Sequence, residues 1–276
     1  MELDDIKKIG VIGLGTMGCG IVQQCALFDY DVIGYELNDD IIKRSYDNLV
    51  NGRFGLKKAV ERGKITQKQM DGALSRIKMT TDLKEATQDS DLVIEAVPED
   101  LELKIEVFRK LDKLCPSHTI LASNTSGFCI MAMGKATDRP HKVLGMHWFN
   151  PPPIMKLIEI VRTPSTSEET IGLMIKLCQK IEKTPIVCRD TSMAYGFIGN
   201  RIYNAMVYEA IKVVEEGIAT LEDIDTVMKL GFNLPMGPLE VTYWTVKDWP
   251  LEYLKKDYLS WKIYQLWKSQ KEGGNK

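Results

Sequence analysis

Residues 7–36, "KKIGVIGLGTMGCGIVQQCALFDYDVIGYE", decide the fold. "KKIGVIGLG" is an apolar run of strand length entering a tight turn, residues 17–28 have the pattern of a helix, and "YDVIGYE" is a second strand. Three glycines stand at the junction of strand and helix. Gly13 permits the turn, Gly15 removes the side chain that would block a pyrophosphate, and Gly18 lets helix and strand approach closely. The helical N–H groups that follow, Met17 among them, present partial positive charge to an anion.

Glu36 ends the second strand, 23 residues beyond Gly13. A carboxylate there accepts both hydroxyls of an adenine ribose and repels a 2′-phosphate, which favours NAD over NADP. The alternative for Glu36 is a solvated residue at a strand end. Gly13, Gly15, Met17, Gly18 and Glu36 are therefore the candidate cofactor contacts.

Outward from this unit, apolar strand runs continue to alternate with helical tracts. A charged tract from Asn38 to about Arg62 and a second over 66–77 precede the strand "SDLVIEAVPE"; a helix over 100–114 leads to "HTILASN". A short helix over 130–137, the strands "KVLGMHWFN" and "MKLIEIV" on either side of Pro151–Pro153, a helix over 167–181 and "TPIVCR" complete the region. Seven or eight strands with crossover helices imply a mostly parallel sheet of Rossmann type.

After Asp190 the strand signals stop. Residues 196–217 form a long helical run, and Thr220 with Asp223 makes a capping box for the next helix. The expected architecture is α/β: an N-terminal, mostly parallel sheet domain over 1–190 and a smaller all-helical domain over 191–276. In the tail, Leu254, Tyr258, Trp261 and the segment Ile263 to Trp267 recur at near-helical spacing. This stripe either meets a partner subunit or folds back on its own domain.

The 276 residues suffice for a substantial core, and 44% apolar content, 27% charged content and a net charge of -2 are ordinary for a globular protein. Nothing in that charge points to nucleic acid or an anionic membrane. The six cysteines have neither zinc-like spacing nor the density of a secreted scaffold, which indicates a reducing compartment and no metal. Cys19 and Cys129 lie near motifs and are candidates for reaction with thiol reagents. The start is too acidic for a leader and no apolar stretch reaches membrane-span length, so a cytoplasmic location is expected.

A nicotinamide cofactor needs a substrate carbon at its face and a group to exchange the hydroxyl proton, and histidine titrates near neutrality. Of the three histidines, His118 and His141 lie in polar turns. His147 ends an apolar strand on the side where parallel sheets present their ligands. Glu159, in the apolar run "KLIEIV", would be costly to bury alone, and pairing with His147 fixes the imidazole tautomer and stabilises the imidazolium. Its alternative is an exposed edge position. Ser126, in "SNTSG", either holds a substrate oxygen or caps the following helix. Glu99, Lys104, Asn124 and Asn150 fall at strand ends, and Asn200 falls at the join of the two domains.

Together, "GLGTMG", "DLVIEAVPEDLELK", "SNTSGFCI", "GMHWFNPPPIMKLIEIVRT", "GFIGNR" and "EDIDTVMKLGFNLPMGPLE" closely resemble the short-chain L-3-hydroxyacyl-CoA dehydrogenases, including the 3-hydroxybutyryl-CoA dehydrogenases, in order over roughly residues 7–241. The resemblance implies NAD-dependent oxidation of (3S)-3-hydroxyacyl-CoA and the reverse reduction, with acyl-CoA between an NAD-binding domain and a helical domain that makes a homodimer. It carries acid/base chemistry to His147, its charge partner to Glu159, substrate contacts to Ser126 and Asn200, and the surroundings of the nicotinamide and its ribose to Glu99, Lys104, Asn124 and Asn150. The chain departs from the family at "DTSMAYGFIGNR", which has added residues before the motif, and after "MGPLE", where the usual closing segment is replaced.

Other readings stay open. One is a dehydrogenase of a free 3-hydroxy acid or sugar acid; another is an inactive binding or structural relative. Lys57, Lys58, Arg62 and Lys64 either meet CoA phosphates or form a solvated face.

Overall fold

A computed structural model describes residues 1–191, 196–247, 251–255 and 258–273. It divides into two compact units, Met1–Phe197 and Ile198–Lys276.

In the first unit the elements run β1 (Lys8–Ile12), α1 (Thr16–Leu27), β2 (Asp31–Tyr35), α2 (Asp39–Asn51), α3 (Leu56–Glu61), α4 (Gln67–Ser75), β3 (Ile77–Thr80), α5 (Leu83–Thr87) and β4 (Leu92–Glu95). They continue with α6 (Leu101–Leu114), β5 (Ile120–Ser123), α7 (Ile130–Gly134), β6 (Val143–Trp148), β7 (Leu157–Arg162), α8 (Glu168–Lys180) and β8 (Thr184–Arg189). One eight-stranded sheet has the order β3-β2-β1-β4-β5-β6-β7-β8. Every neighbouring pair is parallel except β6 and β7.

Both faces of the central strands β4, β5 and β6 are covered, which is why they read as continuous apolar runs, whereas β8 at the edge leaves Ile186 and Val187 exposed. Leu92, Ile94, Ile120 and Ala122 enter one buried cluster, and the intervening Val93 and Leu121 enter the other. The strand order reverses direction between β1 and β4. At such a switch the loops leaving the carboxyl ends diverge and open a crevice for a ligand.

The charged tract expected from Asn38 to Arg62 is two helices. A Cβ on Gly52 would lie 2.3 Å from the Asn48 carbonyl oxygen and one on Gly55 2.8 Å from that of Leu49, so the chain doubles against the end of α2 where a side chain has no room.

The second unit contains α9 (Gly199–Glu215), α10 (Leu221–Phe232), α11 (Pro238–Val246), α12 (Leu251–Leu254) and α13 (Tyr258–Gly273). Thr220 and Asp223 form the capping box of α10, and Asp225 accepts the Leu239 and Glu240 N–H groups at the start of α11. Ile263 is buried with Val207, Ile211, Leu221 and Leu239, and Leu259, Leu266 and Trp267 pack beside it. Trp267 stacks on Tyr243 at 5.1 Å. This part of the tail stripe is thus covered by its own unit, whereas Tyr258 remains exposed.

The units separate after Phe197, beyond the boundary expected at residue 190, because Phe197 packs into a cluster of the sheet unit. The part of the divergent "DTSMAYGFIGNR" entry over 192–195 lies outside the described residues.

Candidate active site

Gly13 takes φ +95°, and a Cβ there would meet the Ala96 carbonyl oxygen at 2.7 Å. A Cβ on Gly18 would stand 1.8 Å from the Gly13 carbonyl oxygen. The protein itself therefore requires these two glycines. Gly15 differs: nothing lies within 4 Å of the position its Cβ would take, so it leaves a cradle at the mouth of α1.

The Glu36 carboxylate accepts the Leu14 N–H at 3.0 Å and the Leu37 N–H at 2.7 Å. It ties the glycine turn to the end of β2, and with about four acceptor sites on a carboxylate it keeps capacity for hydroxyl donors. Open space above Gly15, first-turn N–H groups that have no acceptor within the helix, and an acceptor at Glu36 fit a dinucleotide. Met17 supplies one of those N–H groups while its side chain packs partly against the core.

His147 and Glu159 are direct cross-strand partners in the antiparallel pair β6–β7. The imidazole Nδ1–H donates to Glu159 Oε2 at 2.7 Å, with the side chains only 4% and 1% exposed. An exposed edge position for Glu159 is excluded by that burial. The pairing assigns Nδ1 to the carboxylate and leaves Nε2 as the nitrogen for proton exchange. Phe149 and Phe197 flank the imidazole, with ring centres 4.6 and 5.9 Å away.

At the ends of β4 and β5 lies a second polar group. Glu95 is fully buried. Its Oε1 accepts the Lys104 ammonium at 2.7 Å and the Val97 N–H at 2.8 Å, and its Oε2 accepts the Ser123 hydroxyl at 2.6 Å. Burial pushes its carboxyl pKa up, and Lys104 and the other donors pull it back. Glu99 Oε2 lies 3.1 Å from the same ammonium, and Glu99 Oε1 accepts the Thr125 hydroxyl at 2.5 Å and the Ser126 N–H at 2.9 Å.

Capping in this turn falls to Thr125, whose hydroxyl accepts the Gly127 and Phe128 N–H groups, and to Asp190, which accepts the Met131 N–H at the start of α7. The Ser126 hydroxyl is thereby left for another partner. Asn124 Oδ1 accepts the Trp148 N–H at 2.9 Å, joining the ends of β5 and β6.

Asn150 is exposed just beyond β6. The turn after it is held on two sides. Pro152 abuts α1 so closely that a Cβ on Gly20 would come within 2.8 Å of its ring. Buried Lys183 donates to the carbonyl oxygens of Pro152 and Met155 at 2.6 and 2.8 Å.

Asn200 belongs to the second unit, half-buried in the first turn of α9. Lys57 and Lys58 lie on α3, where Lys58 pairs with Glu61 at 2.6 Å; Arg62 caps its end and Lys64 follows. His118 is paired with Asp91 at 3.1 Å. The thiol-reagent expectation is corrected for Cys19, whose pKa burial pushes up to about 11 while its thiol donates to the Leu14 carbonyl oxygen. Burial also raises that of Cys129. Among the described residues no group of His, Cys, Asp and Glu could hold a metal ion, and no helix is long and apolar enough to cross a membrane.

Glu95, Lys183 and Asp190 were not singled out from sequence. Only Glu95 carries a local signal, an acid closing the apolar run "LVIE". The partners of the other two come from distant segments.

The sequence matches the 3-hydroxyacyl-CoA dehydrogenase NAD-binding domain over residues 8–191 and the C-terminal domain of the same name over 196–272. It is 41% identical over 238 residues to the mitochondrial hydroxyacyl-coenzyme A dehydrogenase of Rattus norvegicus, covering 86% of this chain and 75% of that one. With the probable 3-hydroxybutyryl-CoA dehydrogenase of Bacillus subtilis it shares 43% identity over 235 residues, 85% of this chain and 79% of the relative. The crystal structure of the (S)-3-hydroxybutyryl-CoA dehydrogenase of Ralstonia eutropha is similar with a TM-score of 0.82 at 33% identity, over 96% of this chain and 89% of that one. Since the likeness extends through the sheet unit and the helical unit alike, the chain belongs to the 3-hydroxyacyl-CoA dehydrogenase family.

Proposed function

We propose that this protein interconverts (3S)-3-hydroxyacyl-CoA and 3-oxoacyl-CoA with NAD, acting on short acyl chains such as 3-hydroxybutyryl-CoA. The observation that carries the reading is the buried His147–Glu159 pair at the carboxyl end of β6. In oxidation, His147 Nε2 takes the proton of the 3-hydroxyl, and Glu159 stabilises the resulting imidazolium through Nδ1–H. NAD, when bound, supplies the acceptor for the hydride from C3. In reduction His147 returns the proton to the 3-oxygen. Ser126 and Asn200 hold the substrate's oxygens. The glycine turn with Met17 and Glu36 holds the dinucleotide, and Glu99, Lys104, Asn124 and Asn150 surround its nicotinamide end.

The unit over residues 1–197 is the NAD-binding part and the unit over 198–276 the substrate and dimerisation part. A homodimer through the helical unit is supported by its exposed apolar side chains, among them Ile202, Val227, Leu230 and Phe232. Its proposed setting is the cytoplasm. The test is NADH oxidation with acetoacetyl-CoA against free acetoacetate. Turnover of the thioester, with competition by free CoA, is expected; turnover of free acetoacetate alone would replace this reading with that of a free-acid dehydrogenase.

A further inference from the structure

We infer that Lys183 is a positioning residue, a buried ammonium that fixes the turn between the His147 strand and the Glu159 strand against α1 and so holds Asn150 in place for the reaction. The inference rests on the reading of Asn150 as a contact of the nicotinamide end.

The turn joining β6 to β7 has little packing of its own. Pro152 is buried, but Asn150, Ile154, Met155 and Lys156 are exposed. The Ile154 and Met155 N–H groups both donate to the Pro151 carbonyl oxygen at 3.0 Å and curl the chain on itself. The curled turn is then gripped from two sides. On one side its Pro152 ring fills the space that a side chain at Gly20, in the second turn of α1, would need. On the other, Lys183 donates to the carbonyl oxygens of Pro152 and Met155 at 2.6 and 2.8 Å.

Lys183 is itself fixed to the same helix. The chain leaves α8 through a residue in the left-handed region, Glu182 at φ +56°, and the Glu182 and Lys183 N–H groups return to the Gln179 and Cys178 carbonyl oxygens at 3.0 and 2.8 Å. Just before them, the Ile181 carbonyl oxygen accepts Gln24 Nε2 at 2.9 Å, a buried bond from α1. Gln24 stands one helical turn beyond Gly20, on the same face. A closed ring therefore runs from α1 through Pro152 to Lys183 and back through Ile181 to α1. Because α1 opens at the glycine cradle, the ring sets the end of β6 relative to that cradle. The ammonium also lies 5.7 Å from the ring centre of Trp148, the neighbour of His147 in β6.

Filling space does not account for this side chain. Lys183 is buried, and burial disfavours its charged form. A methionine of similar length would occupy the volume without desolvating a charge. What it cannot supply is the pair of donors to the turn.

The test uses Lys183→Met, which removes both donors and the buried charge together. Amide hydrogen exchange is read at Ile154 and Met155, with Ile94 and Leu121 in the central strands as reference, and kcat/KM for NADH with acetoacetyl-CoA is read with and without Asn150→Ala. The Ile154 and Met155 amides should exchange at least about 10-fold faster while the reference amides hold. The value of kcat/KM should fall roughly 10- to 100-fold, the size expected when a contact is displaced from its reacting position. In the Asn150→Ala background the same replacement should cost no more than about 3-fold. Unchanged exchange in the turn, acceleration no greater than that of the reference amides, or an equal loss with and without the Asn150 side chain would overturn the inference. If Asn150→Ala alone leaves kcat/KM unchanged, the nicotinamide role of Asn150 fails and takes the functional half with it, while exchange still decides whether Lys183 holds the turn.

Should Lys183→Met not fold, Lys183→Gln provides the second route. Its amide nitrogen stands one bond short of the lysine's and cannot reach both carbonyl oxygens, so exchange at Ile154 and Met155 should again accelerate. Exchange at the wild-type rate in that variant would count against the clamp.

Discussion

His147 and Glu159 occupy one register position across the sole antiparallel step of the sheet, with Nδ1 and Oε2 2.7 Å apart and both side chains almost wholly buried. Directly opposed residues on paired strands place their side chains on the same face. The register alone therefore brings base and carboxylate together.

His147→Gln should lower kcat by roughly 100-fold or more, the usual size of a lost acid/base group. NADH affinity, followed by fluorescence titration, should stay near that of the unaltered protein. Glu159→Gln should reduce kcat as well, because an amide cannot stabilise the imidazolium. Undiminished turnover of His147→Gln would remove His147 from the reaction.

Gly15→Ala and Gly18→Ala should separate ligand binding from folding. A methyl at 15 meets no protein atom within 4 Å, so thermal stability should hold while NADH affinity falls by about 10-fold or more. A methyl at 18 would stand 1.8 Å from a backbone oxygen, and Gly18→Ala should lose stability, with the melting temperature dropping by several degrees. A Gly15→Ala chain with native NADH affinity would show that the cradle is not where the diphosphate sits.

Burial takes the Lys183 ammonium down from 10.5 to about 8. Below about 8 the folded chain bears the cost of a buried charge; between there and 10.5 the unfolded chain binds more protons, so stability from this group rises with pH. The full change is at most about 3 kcal/mol. Urea unfolding of the unaltered protein and of Lys183→Met, compared from about pH 7 to about pH 9.5, should show the unaltered protein gaining on the variant. A gap independent of pH would contradict the shift.

Much of the molecule was legible from local pattern. The glycine turn, the apolar strand runs and the change to helical spacing after Asp190 depend on neighbours within a few residues, and the sheet of the first unit and the helices of the second follow them. The break at Gly52–Gly55 was not legible, because a charged helical pattern continues through it while the close return of the chain shows only in three dimensions. For the aromatic tail, two coverings were open from spacing, and the packing of Ile263, Leu266 and Trp267 into their own unit separates them.

By itself the sequence determined the order of elements, the place of the glycine cradle and the acids and histidine worth weighing. All of these are set by residue type and short-range spacing. Tertiary structure alone decided how the acids are used. It pairs Lys104 with Glu95 and Glu99 beside the Val97 carbonyl oxygen, makes Thr125 the turn's capping hydroxyl, and lays Lys183 under the Pro152 turn. The reason is physical: a buried ion must find its partners among whichever strand ends and loops the sheet order makes neighbours, and that order is not written in any local stretch of chain.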